Sequence, residues 1–296
     1  MLIASYQNGN ANIKIHDDGT RIIEFEDELK LDSPLNIDIR VSTKCSFGLN
    51  PSTGKAFCSF CHEEAKTDGF EADYEQLKEK LISLPQGIEL AIGANNITQN
   101  LFDFISWAAT KKYIVNLTIN QGHIRRDILL LRELINKNLI SGLGVSYRSG
   151  LKFDVPEEIL SYSNTVFHVI TGIDKFDEIK ELYQKGVKKV LLLGEKNFGF
   201  NLGNVDLTTR VHKEWYWWVG KLFNIFDVVS FDNLALEQLK LSRYFNNKNW
   251  NVFNQGEHSM YLDAANKVYK PSSRSNDSVD WNAMTVREYF NNYINI

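Results

Sequence analysis

The residues in this chain best suited to chemistry are three cysteines. Cys45 is followed by twelve residues and then by Cys58-Ser59-Phe60-Cys61-His62-Glu63. Thiolates are soft ligands that suit iron–sulfur clusters or zinc. Three cysteines so close together in a chain of 296 residues cannot build a paired disulfide framework, so the grouping points to a metal. Three readings follow from the residues. Cys58, Cys61 and His62 have the spacing of a c-type haem attachment, a chemistry of exported proteins. Cys45, Cys58, Cys61 and His62 offer a tetrahedral Cys₃His zinc site, which needs a sharp bend between adjacent ligands. The third reading is a cluster with three protein ligands and one iron left open to a substrate or cofactor.

The elements around the cysteines must position them. Short aliphatic runs at 36–43, 87–93, 113–120, 142–147, 165–171 and 188–194 read as six strands. Amphipathic stretches at 73–84, 98–111, 124–138, 175–185 and 208–225 read as the helices between and after them. This alternation predicts an α/β chain with a parallel sheet. Asp73 and Asp174 are candidate helix caps, and Gly186 a left-handed helix stop. The cysteine segment leaves the end of the first parallel strand, where barrel active sites lie. Residues 1–34 read as an appended β-hairpin, ANIKIH and RIIEFED joined by the turn Asp17-Asp18-Gly19-Thr20. Residues 35–232 form the core unit. Residues 233–296 form a C-terminal extension, rich in Asn at 245–255 and in Ser at 270–278 and ending in a short helix at 283–293.

Composition narrows the function. A formal charge of -4 and a pI near 5.9 argue against a protein that grips nucleic acid mainly through phosphates. The N-terminus lacks the pattern of a signal peptide, and no apolar run reaches the roughly 20 residues of a membrane span. The expectation is a cytoplasmic protein without a membrane partner.

The strand, the loop ending in Cys-x-aromatic-Cys with Phe60 as the aromatic, and the following helix resemble the start of the radical S-adenosylmethionine superfamily. The likeness extends over roughly 35–232, although most members separate the first two cysteines by three residues. The segments CSFCHEEAKTDG, GIELAIGANN and NLTINQGH also resemble radical S-adenosylmethionine proteins of bacteria and their phages. The resemblance implies a partial (β/α)6 barrel and a [4Fe-4S] cluster on Cys45, Cys58 and Cys61. It implies S-adenosylmethionine as cofactor, an external one-electron donor of the flavodoxin or ferredoxin kind, and a substrate that the sequence does not identify. The extra loop, 46–57, is expected to bulge beside the cluster.

Carried along the strands, the resemblance assigns further residues to the cofactor. Gly93, Ala94 and Asn95 stand where backbone groups receive its amino group, without the acid usual there. Asn120 ends the third strand and points into the barrel mouth. Ser146 and Arg148 end the fourth, His168 lies on the fifth where the adenine is lined, and Gly194 on the sixth permits close approach. Plain alternatives stand beside these roles: a solvated loop arginine for Arg148, a satisfied core histidine for His168, and an ordinary strand-to-helix turn at 91–96. The run Trp215-Tyr216-Trp217-Trp218 reads as core packing on a helix rather than as a base-stacking platform. Tyr147, Tyr261 and His123 are candidate hydrogen donors by position. All three thiols are consumed by one cluster, so none remains for an auxiliary centre.

Overall fold

The computed structural model describes residues 1–244 and 257–294, so the asparagine-rich stretch at 245–255 lies outside the described residues. The chain opens with β1 (Leu2–Asn8), β2 (Ala11–His16) and β3 (Arg21–Glu24), an antiparallel sheet of order β1-β2-β3. The expected hairpin is β2 and β3, turned at Gly19 (φ +86°) with its N–H on the His16 carbonyl at 3.0 Å. Strand β1 is an addition to it. Its apolar residues Leu2 and Ile3 are exposed, so the alternation that betrays a half-buried strand is weak there.

In chain order there follow β4 (Asn36–Arg40), β5 (Lys44–Leu49), α1 (Tyr74–Leu81), β6 (Glu89–Ala94), α2 (Gln99–Thr110), β7 (Ile114–Asn120), α3 (Ile124–Asn136) and β8 (Gly142–Ser146). Next come α4 (Glu157–Ser161), β9 (Thr165–Ile170), α5 (Phe176–Leu182), β10 (Lys189–Leu193), α6 (Arg210–Trp218), β11 (Val228–Phe231) and α7 (Asn233–Gln238). The chain ends with β12 (Ser259–Asp263), β13 (Val268–Lys270), β14 (Val279–Asp280) and α8 (Val286–Tyr293). Asp73 caps α1 as expected, accepting from the N–H groups of Glu75 and Gln76.

The large sheet has ten strands in the order β11-β10-β9-β8-β7-β6-β4-β12-β13-β14, and its ends do not pair to close a barrel. The six strands read from the sequence are β4 and β6 to β10, all parallel. Two more parallel strands flank them, which corrects the count of six. Strand β11 joins β10, and β12 returns from the C-terminal region to pair with β4. Strand β11 is only four residues of VVSF, too short to show a period.

Alternate residues along each parallel strand go to opposite faces. Ile37 and Ile39, Leu90 and Ile92, Leu117 and Ile119, Leu143 and Val145, and Phe167 and Val169 pack under the helices in the main core. Their neighbours face the concave side: Asp38 and Arg40, Ala91 and Gly93, Thr118 and Asn120, Gly144 and Ser146, and His168. Parallel strands usually read as continuous apolar runs because both faces are covered. Here the second face lines a hollow instead.

Two local expectations change. Asp174 does not cap a helix. Its carboxylate accepts from the N–H groups of Ile170 (2.8 Å) and Ser149 (2.9 Å), fully buried beneath the strand ends. The tryptophan run divides as a helix requires: Trp215 is buried with its indole N–H on the Asp174 carbonyl at 2.7 Å, whereas Trp217 is 67% exposed. Gly186 ends its helix at φ +96°, as the sequence indicates.

Candidate active site

The cysteine loop is built so that the long first spacing does not separate its thiols. Strand β5 carries Cys45 and bridges to Lys66 at both of its ends. The Cys58 N–H donates to the Phe47 carbonyl at 3.1 Å, and the Cys61 N–H to the Cys58 carbonyl at 3.1 Å. Cys58 is therefore fastened two residues from Cys45, and residues 50–55 form a turn held by the Asn50 and Lys55 backbones at 2.8 Å. A Cβ at Gly48 would lie 2.3 Å from the Ala65 carbonyl oxygen, so glycine is what lets the two sides of the loop touch. The loop closes on itself rather than bulging freely.

All three cysteines line one cavity of about 820 Å³ inside the curved sheet. Burial pushes the Cys58 thiol up to about 11 and raises Cys45; the neighbouring cysteines add to this, while Arg148 opposes it at Cys58. Bound cations would relieve that burden. His62 is turned from the thiols: its Nε2 lies 3.0 Å from Glu63 Oε1 and 3.2 Å from Lys196 Nζ. Among the described residues no group of three or more His, Cys, Asp or Glu closes around a single metal ion. Three thiols on one cavity wall, without His62, fit a polynuclear centre that takes one thiolate per corner better than a tetrahedral Cys₃His site.

On the same cavity, strand register sets three polar side chains in a row. Asn120 pairs with Ser146, and Ser146 with His168, on the adjacent strands β7, β8 and β9. The Gly122 N–H donates to Asn120 Oδ1 at 3.0 Å. Ser146 Oγ and both ring nitrogens of His168 have no hydrogen-bond partner among the described residues. Burial and then Arg148 hold the His168 imidazole down to about 4, so it is neutral at pH 7 and offers one donor and one acceptor. Its ring fits because β8 has glycine opposite: a Cβ at Gly144 would lie 2.5 Å from His168 Cε1.

The remaining sequence-derived residues divide. Gly93 and Ala94 line the cavity, and nothing lies closer than 4.0 Å to the side-chain position of Gly93, so its backbone is open to a ligand. Asn95 also lines it, with its carbonyl engaged by Arg126 at 3.1 Å. Phe60 lies beneath Arg148, whose guanidinium carbon is 5.0 Å from the ring centroid. Arg148 is therefore not a solvated loop arginine; its side chain is 14% exposed and stands 3.9 Å from Asp174. Gly194 is not brought to the cavity. A Cβ there would strike Leu234 at 2.4 Å and the Ala235 nitrogen at 2.7 Å, so its smallness admits the start of α7. Of the three candidate hydrogen donors, Tyr261 lines the cavity. Tyr147 donates to Glu178 at 2.9 Å, and His123 stacks on Phe47 at 4.5 Å below the cysteine loop.

Sequence reasoning missed an ionic cluster on the other wall. Arg40 contacts Glu63 Oε2 and Asp263 Oδ2, each at 3.0 Å, and the Tyr261 hydroxyl donates to Glu63 at 2.9 Å. Burial would raise Glu63, but His62 and Arg40 outweigh it and hold the carboxyl down to about 2. The available signal was Ile37-Asp38-Ile39-Arg40, charges alternating with aliphatics on a parallel strand.

No family model matches the sequence, and no curated protein matches it. Solved structures of Streptococcus suis SuiB share its fold. SuiB bound to the precursor peptide SuiA aligns with a TM-score of 0.60 at 13% identity, over 88% of this chain and 65% of that one. SuiB bound to S-adenosylmethionine aligns at 0.59 and 12% identity, over 97% and 88%. SuiB without a stated ligand aligns at 0.57 and 12% identity, over 88% and 66%. The chain thus spans about two thirds of SuiB in two of the three alignments. No described helix is long and apolar enough to cross a membrane.

Proposed function

We propose that this chain is a radical S-adenosylmethionine enzyme acting on a substrate admitted to the hollow of its open sheet. The observation that carries the proposal is the convergence of Cys45, Cys58 and Cys61 with the row Asn120, Ser146 and His168 on a single cavity. A shared fold with a protein solved bound to S-adenosylmethionine supports it.

In this reading Cys45, Cys58 and Cys61 hold a [4Fe-4S] cluster. Held there, cluster and cofactor would supply one-electron reductive cleavage of the sulfonium and hydrogen abstraction from an unactivated carbon. The protein binds, orients and shields. The open backbone at Gly93–Ala94 receives the polar end of the cofactor. Ser146 and His168, whose hydrogen-bonding capacity is unspent, hold its hydroxyls or ring nitrogens. Arg148 is fixed over Phe60 and beside Cys58, so it presents a stationary positive charge to the thiolates rather than a mobile clamp. Tyr261, backed by Glu63, borders the space left for the substrate. The electron comes from an external carrier of the flavodoxin or ferredoxin kind, which places the protein in a reducing, cytoplasmic setting.

The test is anaerobic reconstitution. The expected protein is brown, binds about four irons per chain and releases 5′-deoxyadenosine with dithionite. Cys58→Ala should lose iron and cleavage while far-UV circular dichroism stays unchanged. Stoichiometric zinc without cofactor cleavage, or cleavage that survives Cys58→Ala, refutes the assignment.

A further inference from the structure

A second cavity lies between the N-terminal ends of β4 and β12 and α7, and Pro271–Arg274 also line it. Arg21, Asp38, Lys196 and Ser273 line both this slot and the main cavity, so the two spaces meet at these four residues. The charges at the junction are not alike. Arg21 has a carboxylate partner in Glu89 at 2.5 Å, and Arg40 just inside has Glu63 and Asp263. The Lys196 ammonium has no carboxylate within 4.0 Å among the described residues. Its hydrogen-bond contacts are Ser273 Oγ at 3.1 Å and His62 Nε2 at 3.2 Å. A part-buried ammonium without a counter-ion is costly, and of its three protons two have hydrogen-bond partners, while the Phe198 ring centroid lies 5.7 Å from the nitrogen.

The carboxylates in the neighbourhood are committed or withdrawn. Glu63 is taken by Arg40, His62 and Tyr261, and Asp232 accepts from the N–H groups of Gly194 (3.0 Å) and Ala235 (2.7 Å). Asp38, on β4, is in no ion pair among the described residues, and burial pushes it up to about 6, which weakens it as a counter-ion.

We infer that Lys196 and the Ser273 hydroxyl form an anion subsite at the inner end of the slot, which receives a carboxylate or phosphate group of the substrate as it enters. As a substrate subsite this rests on the enzymatic reading; as an anion site it does not. The anionic oxygens take the third ammonium proton and the serine hydroxyl, and the rest of the molecule extends towards the row of Ser146 and His168. Asp38 faces the bound anion and opposes it.

The experiment uses the full chain without added cofactor, with inorganic phosphate and succinate as probes, and follows thermal unfolding against sodium chloride of equal ionic strength. Saturable stabilisation is expected for one or both, and the tighter probe identifies the group as phosphoryl or carboxylate. Lys196→Met should weaken binding about tenfold or more, the loss expected for one charge-assisted hydrogen bond. Lys196→Arg should retain it, Ser273→Ala should weaken it by a smaller factor, and Asp38→Asn should tighten it. Equal titration of Lys196→Met and wild type, or no stabilisation beyond chloride, overturns the subsite. If Lys196→Met does not fold, unchanged binding in both Ser273→Ala and Asp38→Asn overturns it equally. Lys196-dependent binding in a protein that cleaves no S-adenosylmethionine would leave the anion site standing and remove the enzyme. Cleavage without such binding would do the reverse.

Discussion

Gly144→Ala tests whether His168 is held where a ligand can use it. The methyl group would lie 2.5 Å from His168 Cε1, 2.7 Å from its Nε2 and 2.7 Å from Thr118 Oγ1. Ordinary contacts begin near 3.4 Å, so the ring and the threonine must each give by the better part of an ångström. Thr118 is anchored on β7 directly across from Gly144. His168 has the hollow in front of it and must swing into the cavity. Overpacking of this kind costs about 1–3 kcal/mol, measurable as a lower urea midpoint with an unchanged slope, using the fluorescence of buried Trp215. The displaced ring also takes up space in the cavity that the cysteines line, so affinity for S-adenosylmethionine should fall as well. The decisive arm is the double variant. His168→Ala removes the atoms that the new methyl strikes, and Gly144→Ala/His168→Ala should recover most of the stability lost by Gly144→Ala alone. A single variant within about 0.5 kcal/mol of wild type, or a double variant whose losses simply add, would refute the packing argument.

Other consequences are separable. Arg21 ties the N-terminal sheet to the start of β6 through Glu89, which Asn116 also holds at 2.7 Å. Arg21→Met should therefore raise hydrogen exchange in β1–β3 while leaving β6–β9 protected; unchanged exchange in β1–β3 would count against the latch. His123 is 2% exposed, and burial followed by Arg126 holds it down to about 4 against 6.5 in the unfolded chain. The unfolded state therefore binds the extra proton first, and stability should fall as pH drops from 6.5 towards 4, by up to about 3 kcal/mol. Urea titrations at several pH values should show a flatter slope for His123→Gln, and an equal slope would exclude His123 as a source. Arg148→Met should move the midpoint potential of the reconstituted cluster to more negative values, because it removes a fixed cation beside Cys58. An EPR-monitored redox titration reads this, and an unmoved potential would contradict the placement.

The strands β4 and β6 to β10 were legible because their helix-facing residues, such as Leu117, Ile119, Leu143 and Val145, are all apolar. Strand β11 was not, being four residues long, and β12 pairs with a strand more than two hundred positions earlier. The cysteine spacing marked three candidate ligands but not the folding of the loop that carries them, which depends on Gly48 meeting Ala65 and on the Cys58 N–H reaching Phe47. A glycine in a sequence says that something comes near without saying what. At Gly144 it is the His168 ring within the cavity wall, and at Gly194 it is a helix outside the cavity.

The deeper limit concerns polar residues. Arg40 and Lys196 look alike in the sequence, each a cation at or just beyond a strand end. Arg40 is neutralised by Asp263, 223 positions away, and Lys196 is left without a carboxylate. A buried polar group matters to a ligand to the degree that the fold leaves it unsatisfied, and that remainder is a property of long-range pairing. Ser146 and His168 on one wall and Lys196 on the other are such remainders, and all open onto the space beside the three thiols. Groups spent on one another, such as Glu63 with Arg40 or Asp174 with its two backbone donors, hold the walls in place. Residue types therefore mark which groups could bind a metal or a ligand, whereas which of them a ligand can use depends on the partners the fold withholds.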